Sequence, residues 1–276
     1  MPPDDDTESL PSSALGALDF LVVEGLKLTR AGAGRGWCRR NEDRTLLEDF
    51  SFTLQKRRSL ALVGEDRGAL FALAAALVKI GPVAAGSIHF AGIPVLSFDS
   101  QRFRAVRKRI QAVFPDALGQ LPAVLTVREA FREVLAVWCP RASRDERARL
   151  VDSVMIACGL PEAVQDLYPS ELDAVERQQV ALARALLPGP ELLICQGITE
   201  GLDTVQRAEL CNRVRHLREE FRLTLLVLTD DLAVAHQLGD DIGVLHRGRL
   251  VESAPAATLV SRPAHDHTRR LVAAAA

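Results

Sequence analysis

No apolar run in this chain of 276 residues approaches the roughly 20 residues that a bilayer-spanning helix needs, so no membrane-embedded segment is expected. Paired cysteines are missing as well. Cys38, Cys139, Cys158, Cys195 and Cys211 are odd in number and form no C-x-x-C, which argues for a reduced, cytosolic protein over a disulfide scaffold or zinc site. Net charge is close to nil, −2 at pH 7, which gives no reason to expect nucleic acid or an anionic membrane as partner. The opening M-P-P-D-D-D-T-E-S-L-P-S-S has neither the basic nor the apolar region of a signal peptide, and residues 1–18 read as a disordered acidic tail. There is no G-x-S-x-G elbow, no H-E-x-x-H, and no internal repeat. His265 and His267 make an H-x-H that reads as an exposed tail rather than a metal site, and Asp240–Asp241 reads as a solvated turn.

What is present is ordinary globular material, 48% hydrophobic and 25% charged, in a length that suits one large domain with an inserted subdomain. Phe20 to Leu28 mixes apolar and polar residues like an edge strand, and Leu46 to Leu54 alternates like a half-buried one. Ser59 to Val63, Glu191 to Cys195 and Leu223 to Thr229 are continuous apolar runs, as expected of parallel strands covered on both faces. Between them, residues 97–170 turn helical. One such helix over 143–157 has Ser143 as N-cap, Glu146 three residues on, and Gly159 past its end. The pattern predicts an α/β fold with a mostly parallel sheet, a core over 19–97 and 175–250, a helical subdomain over 98–174, and a short C-terminal extension over 251–276.

The most informative stretch is L-A-L-V-G-E-D-R-G-A-L-F-A-L, residues 60–73. A buried strand, a glycine and an Ala/Leu-rich helix stand where a phosphate-binding P-loop, G-x-x-x-x-G-K-[ST], would sit. Gly64 is the first glycine. Ala69 stands for the second, Leu70 for the lysine, and Phe71 and Ala72 for the hydroxyl pair. Glu65, Asp66, Arg67 and Gly68 fill the loop between. The scaffold of a nucleotide site is there without its chemistry.

From Leu60 onward the chain resembles the ATP-binding subunit of ABC transporters, within the dipeptide, oligopeptide and nickel importer group. The resemblance rests on an ordered set. Residues 103–114 (F-R-A-V-R-K-R-I-Q-A-V-F) resemble the lead into the Q-loop, and Y-P-S-E-L with R-Q-Q-V-A-L-A-R-A-L (168–172, 177–186) flank the signature position. P-E-L-L-I (190–194) resembles the Walker B strand, Thr199 to Asp203 the D-loop, and residues 231–240 and 246–252 the segment after the switch histidine. His265 to Leu271 resembles the tail of the peptide importers.

Carried onto this sequence, the family's active positions are replaced one after another. Pro115 stands at the Q-loop glutamine and has neither a side-chain amide nor a backbone N–H. Gln196 and Gly197 stand where an aspartate would hold magnesium and a glutamate would activate water. The signature reads Leu172, Asp173, Ala174, Val175, Glu176, with Asp173 for the serine and Val175 for a glycine. Asp230 stands at the switch histidine, and a carboxylate about 4 Å from a phosphate oxygen costs on the order of 4 kcal/mol at intermediate dielectric. The adenine-stacking aromatic falls near Thr29, with Trp37 as a stand-in.

The resemblance therefore implies a catalytically inactive subunit of a peptide-type importer. ATP and magnesium are implied by family alone, with weak or absent binding expected. It implies a second ABC ATPase subunit as partner, with Leu202 and Asp203 at the dimer interface. It also implies a transmembrane permease docked near Pro115 to Thr126, at the inner face of the cell membrane. Two alternatives stand beside it: a scaffold or regulatory protein outside transport, and an ATPase working through unconventional residues such as Arg67.

Overall fold

The computed structural model describes residues 19–30, 44–99, 101–115 and 121–275. The acidic tail, Trp37, Cys38 and residues 116–120 of the expected permease segment lie outside them.

Two sheets carry the fold. The first has strand order β2-β1-β4-β5, all antiparallel, from β1 (Asp19–Arg30), β2 (Arg44–Gln55), β4 (Ala85–Phe90) and β5 (Ile93–Pro94). β1 is thus an inner strand, not the edge strand that its sequence suggests. Its polar residues Glu24 and Lys27 fall at register shifts against β2 and β4, so they interrupt the ladder locally without exposing the strand.

The second sheet has the order β10-β9-β3-β8-β7-β6. Strands β3 (Ser59–Gly64), β6 (Ile110–Val113), β7 (Leu192–Gln196), β8 (Thr224–Thr229) and β9 (Asp241–His246) run parallel, and β10 (Arg249–Pro255) closes one edge antiparallel. Every residue of β3, β7 and β8 is buried, which is why these runs lack polar alternation. The sequence pattern places β6 within the helical subdomain over 98–174. Its four residues are too few for periodicity to separate strand from helix, and its pairing with β7 makes it an edge of the parallel sheet.

Alternation along β3 divides the interior. Leu60 and Leu62 face the helix α1 (Arg67–Leu77) and the first sheet, while Ala61 and Val63 face a second apolar cluster. That second cluster is covered by α5 (Ala174–Leu186), α6 (Thr204–Glu220) and α7 (Leu232–Leu238). α2 (Phe103–Arg109) leads into β6, and α3 (Val127–Trp138) and α4 (Arg144–Cys158) form the helical layer. Ser143 and Glu146 close a capping box on α4, and Gly159 ends it at φ +75° as the sequence predicts. The chain finishes with α8 (Ala256–Ser261) and α9 (Asp266–Ala275).

Cys139, Cys158, Cys195 and Cys211 are free thiols. Burial pushes Cys158 up to about 12 and Cys211 up to about 11, so both stay protonated at neutral pH.

Two sequence readings of the C-terminal region change. His267 is buried, not solvated: α9 lays its ring on His246, with centroids 3.9 Å apart. Burial, with the charge of His246, holds His267 below its ordinary pKa. Asp240 is no solvated turn either. It accepts hydrogen bonds from Arg218 (Nη2 at 2.5 Å, Nη1 at 3.1 Å) and from the Ser59 backbone N–H (2.9 Å), tying α6 to the start of β3.

Burial raises the Asp240 pKa, but the hydrogen bonds from Arg218 and Ser59 and the charges of Arg218 and Arg58 outweigh it, leaving the carboxyl below its ordinary range. The folded chain then holds fewer protons at Asp240 than the unfolded chain, so stability rises with pH across that window. Asp240→Ala should cost about 2 kcal/mol at pH 7 in urea unfolding. The deficit should fade as pH drops through the depressed pKa, where the native carboxyl is protonated anyway.

Gly86 has φ +98°, and a Cβ there would lie 2.6 Å from the Leu26 Cα and the Gly25 carbonyl oxygen. These are backbone atoms of the paired strand and cannot yield. Gly86→Ala should therefore cost at least about 2 kcal/mol by the same measurement.

Candidate functional site

The loop after β3 sits at the C-terminal edge of the parallel sheet, where open α/β sheets place their ligands. Each position that the resemblance assigns to phosphate contact can be traced to the residue that fills it. Asp66 is the N-cap of α1, and its side chain accepts from the Ala69 backbone N–H at 3.1 Å. The helix N-terminus that would receive a phosphate is thus met by the chain's own carboxylate, itself held by Arg44 at 2.7 Å. A Cβ on Gly68 would lie 3.3 Å from an Arg30 nitrogen and 3.0 Å from Asp66 Oδ1, so Arg30 crowds the same place.

Leu70, at the lysine position, is only 1% exposed and belongs to the apolar cluster under α1. Phe71 is half-exposed and packs on Phe114, with ring centroids 5.2 Å apart, where a metal-binding hydroxyl would be sought. Pro115 follows directly, its carbonyl accepting from Gln178 Nε2 at 3.1 Å.

Arg67 is the loop's central cation, and both its ends are engaged. Its Nε donates to Asp230 Oδ2 at 2.8 Å, with Nη2 at 2.7 Å from the same oxygen, and its Nη1 reaches Glu200 Oε2 at 3.2 Å. The hydrogen bond to Asp230, then the charges of Asp230 and Glu200, raise the Arg67 pKa further. Burial raises the Glu200 pKa; Arg67 opposes the shift and Asp230 reinforces it. Surface ion pairs of this kind add little to stability, so their importance here is that they occupy Arg67.

Glu200 escaped sequence reasoning because it lies inside the D-loop match. The fold sets it over Gly197: a Cβ on Gly197 (φ +56°) would fall 2.3 Å from Glu200 Oε1 and 3.1 Å from the Pro115 Cβ. The only available signal was a carboxylate three residues beyond an absent one.

Gln196, 2% exposed on the same strand face as Leu192 and Ile194, has a side-chain oxygen with no hydrogen-bond partner among the described residues. A cavity of about 750 Å³ remains beside the loop, lined by Arg44, Glu65, Asp66, Arg67, His246 and Arg247 among others.

The structure therefore brings together Arg67, Pro115, Gly197, Glu200 and Asp230. The 172–176 segment serves elsewhere. Asp173 caps α5, accepting from the Glu176 N–H at 2.8 Å while Glu176 answers to the Asp173 N–H at 2.9 Å. Leu172 is buried in the larger cluster, and Ala174 and Val175 pack against it, on the opposite side of the sheet from Leu70. Leu202 is buried in that same cluster, while Asp203 is exposed as the N-cap of α6. Thr29, in β1, brings no aromatic ring to the site.

Residues 47–197 match the model of the ABC transporter family, more than half of the chain. The chain belongs to that family. Among similar ABC proteins, the "Probable peptide ABC transporter ATP-binding protein y4tS" of Sinorhizobium fredii is 31% identical over 83% of this chain and 65% of its own length. The "Uncharacterized ABC transporter ATP-binding protein YejF" of Escherichia coli is 32% identical over 98% of this chain and 50% of its own length. The "Oligopeptide transport ATP-binding protein OppF" of the same species is 29% identical over 83% and 68%. The chain thus spans between half and about two thirds of these curated ABC relatives. Among solved structures, the dimeric MJ0796 cassette superposes with a TM-score of 0.75 at 19% identity, covering 86% of this chain and 98% of that one. The cbiO1 protein of Clostridium perfringens does so with 0.75 at 20%, covering 89% and 92%. At such identity these two speak for the ABC fold alone. Among the described residues no helix is long and apolar enough to cross a membrane.

Proposed function

We propose that this chain is a non-hydrolysing ATP-binding-cassette subunit of a peptide-type importer. It pairs with a second cassette and docks on a transmembrane permease at the cytoplasmic face of the membrane. The observation that carries this reading is the internal pairing of the loop. Asp66 caps the helix that should meet phosphate, and Arg67 is held by Asp230 and Glu200. ATP with magnesium does not suit the residues present. The loop offers Leu70, Phe71 and Ala72 in place of an ammonium and a hydroxyl, and Gln196 in place of a carboxylate. No hydrolytic step is assigned to this site.

The division that follows gives this chain a fold for pairing and docking and leaves energy supply to its partner. The half-exposed Phe71, Phe114 and Pro115 form an apolar patch at the loop that suits the permease contact. Asp203 stays available for the cassette pair. Affinity purification of the tagged chain from its native membrane tests the reading: recovery of a permease and a second cassette is expected, and recovery of neither sinks it.

A second reading has one observation in its favour. Glu200 stands over Gly197 with a raised pKa beside Arg67, as a relocated general base would. On that reading Glu200→Gln abolishes a measurable turnover; on ours it leaves any residual rate unchanged.

A further inference from the structure

Of the four arginines at the other end of the sheet, only Arg218 has such an internal pairing among the described residues. β3 is six residues long, so its start at Ser59 lies about 17 Å from the loop at Gly64. There a hollow of about 870 Å³ opens between the turn before β3, the end of α6 and the end of α7. Four arginines line it, Arg57, Arg215, Arg218 and Arg222, with His236 beside them, against the carboxylates of Glu219 and Asp240.

Asp240 is already committed to Arg218 and lies 3.7 Å from Arg58, so it neutralises nothing further. Arg57, Arg215 and Arg222 have no ion-pair partner among the described residues. Cations near the C-terminus of α6 complement its dipole, which accounts for part of Arg215 and Arg218. It does not account for Arg57, which lines the same hollow from another element, the turn before β3.

Two of these arginines also hold a backbone shape that arginine disfavours. Arg57 has φ +64° and Arg222 φ +51°, in turns where glycine would be relaxed. Backbone strain kept at two residues of one hollow, whose charges are left to solvent, is a reason to look for a ligand there.

We propose that this hollow binds a small soluble polyanion carrying phosphate groups. Guanidinium forks match phosphate oxygens in pairs, and a concave hollow suits a small polyanion better than a flat membrane surface does. The site is separate from the loop and does not depend on the proposed role in transport.

The test titrates metal-free inorganic pyrophosphate into the full chain by calorimetry at low salt. Saturable binding with a Kd below about 1 mM is expected, weakened at least about tenfold in Arg57→Gly, Arg222→Gly and Arg215→Ala. Arg57→Gly and Arg222→Gly relax the backbone, so both should melt no lower than the parent while binding worse, a combination that a purely structural arginine would not give. Arg44→Ala, in the loop, should bind as the parent does. Absence of saturable binding overturns the proposal, and so does binding lost in Arg44→Ala instead. Flotation with phosphatidate vesicles in the absence of any pyrophosphate binding would also overturn it.

Discussion

Given magnesium and ATP, this chain should turn over at least about 10³-fold more slowly than an intact cassette. A positioned general base contributes about 10²–10⁴-fold, and each preorganised group on the developing charge about 10²–10³-fold. On the proposed reading this chain has Gly197 in place of the base, Leu70 in place of the ammonium and Gln196 in place of the metal carboxylate. Such contributions act as a unit and do not multiply freely, so the smallest defensible loss is that of one or two of them. Single-turnover and steady-state assays with radiolabelled ATP, on the chain alone and with its second cassette, would measure it. The Glu200→Gln variant should leave the residual rate unchanged. A rate within tenfold of an intact cassette, abolished by Glu200→Gln, would show that the relocated carboxylate is a working base.

Restoring the lysine should damage the protein rather than repair it. Leu70 is 1% exposed, and its Cδ2 would lie 3.8 Å from a Cβ placed on Gly64. Leu70→Lys would remove a core side chain and lodge an ammonium in the apolar cluster, while the nearby loop carboxylate of Asp66 is already taken by the Ala69 N–H and Arg44. A lost core leucine alone costs about 2–5 kcal/mol, and an unpaired buried charge adds to that. Denaturant unfolding of Leu70→Lys should therefore show a loss of about 3 kcal/mol or more, with no gain in nucleotide binding. Unchanged stability with new magnesium-dependent ATP binding would mean that the loop is one residue away from a working one.

The sequence made much of this visible, for physical reasons that differ by element. β3 and β8 were legible because burial on both faces removes polar residues altogether, and α4 because Ser143, Glu146 and Gly159 announce its two ends. β6 was not, since four residues in a helical neighbourhood carry no decisive period. At the site, the replaced positions could be read by order along the chain. What fills them could not, because Arg67 meets Asp230 and Glu200 across 163 and 133 residues of sequence. Asp240 and His267 misled for the same reason: each looks solvated beside its neighbours and is buried or paired by distant elements. Asp173 shows the reverse. Read from sequence only as a replacement for the signature serine, it does the ordinary work of a helix cap.

The central claim is that the loop at Gly64 is satisfied from within and has no use for nucleotide. Calorimetric titration of the chain with magnesium and ATP tests it most directly. The account predicts no saturable binding below about 1 mM, and the same result for Arg67→Ala. A micromolar Kd that needs magnesium and vanishes in Arg67→Ala would contradict it.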